Sequence, residues 1–330
     1  MVVKQYTSIN IDAGDTVTVD QPCRGMMILC QGDCTINGTL SMKERGAAAN
    51  PNNSGANDGN AVQTNGLQLP FITASGTDTL TASSSLLNGC GTLARSVVAN
   101  FKSISGTGTI ITTPKTGGTG GAAGSPLGTG YGQSVSNGTG GGGAGFNWTD
   151  GNNPTQKGGN GTCFSGGSGS GGNNGGSGSF GCDDYAGQGG AGGNATHNAW
   201  CGGGAGNPAG QTTKYSGAYS GGDPIAGGGT GGLLILIVGG NLTIGASGLV
   251  TVKGGNGAYL SSSNATYGGS YGSGGGQGGG GRIIIAHRGT YTNNGTIDST
   301  GGTADSIKED STGGAGGYGG TGAITIQQVE

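Results

Sequence analysis

A chain of 330 residues has room for two or three separately cored domains, yet 86 of them are Gly and 8 are Pro, a content that signals disorder unless the glycine serves a specific geometry. Only 9% of the residues are charged and the net charge is −3, which excludes the basic stripe of a nucleic-acid binder and is too little for a solvating disordered tail. The longest apolar run, residues 233–238, falls far short of the roughly 20 residues of a membrane span, and runs such as 140–143 break the Gly-X-Y register of collagen.

Residues 1–116 form an N-terminal β-rich region. The opening stretch, MVVKQYTSIN, has no basic start followed by an apolar segment, so no secretory signal is read. A first repeat unit covers residues 25–42, GMMILCQGDCTINGTLSM: an apolar strand, a Gly turn, a short strand, an Asn-Gly turn, and a third strand alternating apolar residues with Thr or Ser. A partial copy, FKSISGTGTIIT, lies at 101–112. Seven cysteines at wide spacing (Cys23, Cys30, Cys34, Cys90, Cys163, Cys182 and Cys201) contain no C-x-x-C pair. Cys30 and Cys34, if on one strand, would lie about 13 Å apart, so small buried residues are expected rather than a disulfide framework.

Residues 117–231 change character. Roughly two residues in five are Gly, and Leu127, Val135 and Ile225 are the only large aliphatics. Such side chains, at about 25 cal/mol per Å² of apolar surface buried, cannot offset the ordering entropy of more than a hundred residues at on the order of 1 kcal/mol each. Two solutions remain: disorder, or a lattice of polyproline-II-like glycine helices whose free amides bond to neighbouring helices. The placement of glycine runs directly before the strands at 233, 282 and 323 favours the lattice. The tract also holds both tryptophans, and Phe146, Trp148, Phe164, Phe180, Tyr185 and Trp200 either pin loops to the lattice or form a receptor-binding surface suited to a sugar or a protein.

Residues 232–330 are strand repeats alternating with glycine runs. Full copies occupy 232–255 and 281–302, and the first strand recurs at 322–329. Copies start roughly 40 to 50 residues apart, and since no coil buries its apolar face alone, several must stack. The expected fold is therefore all-β: stacked β-solenoid-like short strands combined with a glycine-rich polyglycine-II lattice.

Catalytic chemistry finds little to work with. Asp183 and Asp184 are loop neighbours, not carboxyls facing each other across a glycosidic bond. His197 near Cys201 reads as incidental rather than as a zinc site, and His287 as a histidine at a strand's edge. Gly-x-Gly-x-x-Gly matches carry no information at this glycine content, and no Gly-Lys-Ser or Gly-Lys-Thr follows them. No catalytic residue, metal site or cofactor is expected, and the chain is not expected to be an enzyme.

The strands at 34–42 and 291–297 followed by glycine runs resemble those of glycine-rich virion proteins of phage tails and appendages. The glycine blocks separated by aromatic loops are similar to the long-tail-fibre adhesins of T-even-like phages, from which the repeated strands depart. That resemblance implies a polyglycine-II sandwich, receptor-contacting loops, a virion location reached by host lysis, and a homo-oligomer. The implied partners are other tail or baseplate proteins and a host surface glycan or outer-membrane protein. A purely architectural capsid-decoration or baseplate fibre, and a polysaccharide depolymerase on a β-helix, are the alternative readings.

Overall fold

The computed structural model of the chain describes residues 2–20, 23, 25–46, 134, 166, 229–256, 277–303 and 318–328, and the backbone of four short strands at 73–75, 79–81, 259–260 and 273–274. The partial repeat at 101–112 lies outside the described residues. In chain order, a first coil is formed by β1 (Val2–Tyr6), β2 (Ile9–Ile11) and β3 (Thr16–Val17), and a second by β4 (Met26–Cys30), β5 (Cys34–Ile36) and β6 (Thr39–Ser41). Two strands, β7 (Thr73–Ser75) and β8 (Thr79–Thr81), pair antiparallel. The third coil is β9 (Leu233–Val238), β10 (Leu242–Ile244) and β11 (Leu249–Thr251), followed by the antiparallel pair β12 (Tyr259–Leu260) and β13 (Ser273–Gly274). The fourth is β14 (Arg282–His287), β15 (Tyr291–Asn293) and β16 (Thr296–Asp298), and β17 (Ile324–Gln328) adds one further strand.

Like strands stack on like strands in parallel. The first strands build a five-stranded sheet in the order β1-β4-β9-β14-β17, the second strands a four-stranded sheet β15-β10-β5-β2, and the third strands another, β16-β11-β6-β3. The described part is thus a three-sided, all-β solenoid. The repeats expected at 25–42, 232–255 and 281–302 are its second, third and fourth coils. One coil more precedes them, because Val2–Tyr6 pairs residue for residue with Met26–Cys30. Although residues 47–228 intervene in the chain, β4 lies directly beside β9, with Met26 opposite Leu234 and Cys30 opposite Val238.

Strand periodicity sends alternate side chains to opposite faces. Within the solenoid, Met26, Ile28 and Cys30 stack on Leu234, Leu236 and Val238 and on Ile283 and Ile285, packed against Ile36, Leu40, Ile244 and Val250 from the other two sheets. The second strands alternate as a half-buried sheet should: Cys34 and Ile36 are buried around half-buried Thr35, and Leu242 and Ile244 around Thr243. The first strands do not. Every residue of β4, β9 and β14 is buried, on both faces, which is why β4 and β9 read as unbroken apolar runs, and β14 does so from Ile283 to Ala286, rather than as alternating strands.

Cys30 and Cys34 lie on different strands, either side of a corner, and both are buried free thiols. His287 is not at a sheet edge: β17 flanks β14, placing Gln328 beside it. The ring is 5% exposed, its Nδ1 donates to the Gly289 carbonyl at 2.9 Å, and it packs on Tyr291 with centroids 5.3 Å apart.

Candidate functional site

Each coil turns three corners, and they are built differently. Between the first and second strands the equivalent residues Asp33, Asn241 and Thr290 form a ladder along the solenoid. The Asn241 amide donates to Asp33 Oδ1 at 2.7 Å, and the Thr290 amide to Asn241 Oδ1 at 2.9 Å. The Cys30 thiol donates to the carbonyls of Gly32 and Asp33 at the same corner. Between the second and third strands the Asn37 amide bonds the Ile11 carbonyl of the coil before, and Ser247 Oγ donates to the Asn37 carbonyl at 2.7 Å. Short polar side chains thus satisfy backbone groups that a tight turn leaves open.

The third corner, from third strand to the next first strand, is where chain is added. After the first coil it is crossed directly, by residues 18–25. From the second coil on, it emits residues 47–228, then 257–276, then 304–317. The chain leaves along one limb and returns along another, and the limbs bond to each other almost wholly through the main chain. On the limbs around residues 42–46 and 229–232, Gly46 N–H donates to Thr230 and Gly232 N–H to Met42. Gly231 N–H reaches Gly279, and Gly255 N–H reaches Gly229. Farther along, Gly278 N–H donates to Gly255, Gly302 N–H to Gly278, and Gly319 N–H to Gly302. Several glycines bond in two directions: Gly255 donates to one limb while its carbonyl accepts from another.

Close approach explains the glycine. A Cβ on Gly231 would overlap the Val252 carbonyl oxygen, and one on Gly281 the carbonyl oxygen of Gly232. Side chains are excluded because backbones occupy their space. Among the described residues, the limbs are held to one another chiefly by main-chain hydrogen bonds, on one edge of a solenoid that has a hydrophobic core.

Besides residues 229–231, which lead into β9, two described residues from the middle of the 117–231 tract lie on this corner. Gly166 is buried, donates its amide to the Gly231 carbonyl at 2.9 Å, and sits where a Cβ would strike Gly279. Ser134 Oγ accepts from the Thr321 amide at 2.8 Å. Neither stood out in the sequence, since one glycine among many gives no local signal. The corner ladder was legible in principle, because Gly32-Asp33, Gly240-Asn241 and Gly289-Thr290 occupy equivalent places in the repeats.

The receptor-binding candidates Phe146, Trp148, Phe164, Phe180, Tyr185 and Trp200, with Asp183, Asp184 and His197, lie outside the described residues. In the chain all belong to the excursion 47–228 that starts and ends at the glycine corner, and Phe164 is two residues from Gly166.

Elsewhere, burial pushes the Cys30 thiol up to about 11 and the Cys34 thiol up to about 12, so neither is a nucleophile at neutral pH. An apolar cavity of about 200 Å³ opens at the first coil between Tyr6, Ile9, Val17, Ile28, Leu40 and Leu236. Among the described residues no group of three His, Cys, Asp or Glu is placed to hold a metal, and no helix is long and apolar enough to cross a membrane.

Compared with protein-family models, with curated proteins and with solved structures, the chain finds no match.

Proposed function

We propose that this chain is a structural virion protein of a bacteriophage, a tail-fibre or adhesin component in which the solenoid serves as shaft and the glycine corner presents host-contacting loops. The observation that carries this reading is the corner itself: all three excursions leave from one edge, on a lattice of main-chain hydrogen bonds. Loops on a rigid scaffold are where binding residues concentrate, and insertions confined to one side of a repeat array mark its binding side.

We infer further that the glycine limbs are packed as polyglycine-II helices and that this packing continues into the 117–231 tract. The two-directional bonding of Gly255 supports it, since such helices have no internal hydrogen bonds and must satisfy each amide on a neighbour. Gly166 and Ser134 are the footholds of that continuation. Phe146, Trp148, Phe164, Phe180, Tyr185 and Trp200 would then be the large contact surfaces of the presented loops, directed at a host glycan or outer-membrane protein. Other tail or baseplate proteins and further copies of the chain are the proposed assembly partners.

Two experiments test this reading. Immunogold labelling of the virus that encodes the chain should place it on the tail or its fibres; label confined to the capsid would move the protein to the architectural class. Binding of purified chain to host cells should fall by at least about tenfold in a Trp148→Ala/Tyr185→Ala double variant, the scale of a lost interface anchor. Unchanged binding would remove those loops from the contact. Release of reducing sugar from host capsule would instead establish a depolymerase.

A further inference from the structure

The two ends of the solenoid are unalike, and each leaves apolar surface open, although terminal units of a stack ordinarily keep a polar outer face. Among the described residues the exposed large hydrophobic side chains are Tyr6, Tyr318, Ile324 and Ile326. Tyr6 lies on β1, one edge strand of the five-stranded sheet, and Ile324 and Ile326 lie on β17, the other. At the β17 end the inward file runs out into solvent. Ile324 stands opposite Ile283 and Ile326 opposite Ile285, both fully buried, yet Ile324 is 41% and Ile326 36% exposed. The other two sheets stop one coil short, at β15 and β16, so among the described strands β17 projects as a ridge. Its sequence, ITIQQ, carries no charge. At the opposite end all three sheets finish together on β1, β2 and β3, and the first coil holds the apolar hollow of about 200 Å³. Tyr6, Ile9 and Val17, exposed or half-buried, form its rim, and buried Ile28, Ile36 and Leu40 of the second coil its floor.

We propose that copies of this chain join head to tail, the β17 ridge of one copy seating Ile324 and Ile326 in the first-coil hollow of the next. Three end-to-end pairings are open to identical copies. Head to head, β1 would pair antiparallel with its own equivalent, and Lys4, central in Val2–Tyr6, would face a second Lys4. Like charges directly opposite are destabilising, and an inward-pointing charge blunts an edge strand against such pairing. Tail to tail sets ridge against ridge and leaves the hollow empty. Head to tail alone matches an apolar projection with an apolar recess. Such a contact joins unlike surfaces, so each copy added presents a fresh end, and a rotation that does not close gives an open filament rather than a ring. The inference deepens the reading of the solenoid as a shaft and rests on it only for its setting. Copies that join this way in a protein placed off the tail would remove that reading and leave the contact standing.

Sedimentation of the purified full-length chain tests the contact. Mean mass should climb with concentration past that of a dimer. Ile326→Glu spoils the ridge and Tyr6→Glu the rim, both at exposed positions. Each variant alone should need at least about tenfold more protein to reach the same mean mass, the scale of a lost interface anchor, with its circular dichroism unchanged. Mixed in equal amounts, the two should form dimers and nothing larger, because the intact ridge of the Tyr6→Glu copy still finds the intact hollow of the Ile326→Glu copy. An unmodified chain that stays monomeric overturns the proposal, as does either variant assembling like it or a mixture that remains monomeric. As a second measurement, a photoreactive benzoylphenylalanine in place of Tyr6 should join the peptide 323–328 of an isotopically distinct copy. Cross-links to the first coil of another copy, or within one chain only, would also overturn it.

Discussion

Two kinds of corner turn the same solenoid. At the corner holding Asp33, Asn241 and Thr290, particular side chains cap particular amides one coil away. At the glycine corner the partners are peptide groups, and the requirement on sequence is the absence of a side chain. A corner closed by side chains fixes its own length, because inserting one residue moves the capping group out of register. A corner closed by main chain fixes only how near the limbs lie. Any length of chain fits between an outgoing and a returning limb, which is how one corner emits 47–228, 257–276 and 304–317 while the others stay tight.

The largest expected effect breaks the glycine corner. Gly281→Ala places a methyl on the Gly232 carbonyl with only backbone to yield, and stability to urea should fall by about 3 kcal/mol, at the upper end of overpacking costs. A loss below about 0.5 kcal/mol would mean that the limbs can separate freely.

At the side-chain corner the next effect is alkaline. The Cys30 thiol donates to the Gly32 and Asp33 carbonyls, and burial raises it from an ordinary 9.0 to about 11. A raised folded-state value favours the protonated thiol, so its contribution is intact below pH 9 and is lost as pH climbs toward 11, by about 1 kcal/mol at pH 10. Cys34, raised to about 12 by burial, adds in the same direction. Denaturation midpoints between pH 8 and 10 should therefore fall less in Cys30→Ala than in the unmodified chain; parallel curves would exclude the thiol as the cause.

The smallest effect belongs to the ladder. Asn241→Ala removes the acceptor for the Thr290 amide at an exposed corner and should cost about 0.5 kcal/mol, the low end for a hydrogen bond, while Asn241→Asp, which keeps an acceptor, should cost less. Equal losses in the two variants would show that packing, not the hydrogen bond, holds the turn.

Repeat units at 25–42, 232–255 and 281–302 were legible because a buried strand and its turns leave a local pattern. Val2–Tyr6 was not, since β1 is an edge strand of its sheet and tolerates Lys4 and Tyr6 at its inward positions, the latter 42% exposed. The all-apolar runs at 26–30 and 233–238 announced strands without announcing two buried faces; that requires knowing what lies outside. His287 looked like an edge residue because its neighbour in the sheet, Gln328, is 41 residues farther along the chain. Of the proposed site, the corner was foreshadowed by glycine runs ahead of the strands at 233, 282 and 323, whereas Gly166 and Ser134 were selected by contacts that no local pattern encodes.

By itself, then, the sequence determined strand positions, turn residues and the need for glycine where the limbs run, all properties of a few consecutive residues. The tertiary structure alone decided that β4 lies against β9 across residues 47–228, and that the excursions share one corner. The physical reason is that stacking in a parallel solenoid is selected by matching apolar files, Met26 on Leu234 and Ile28 on Leu236. Main-chain bonds close over whatever the chain does in between, because the entropy of closing a loop rises only slowly with its length.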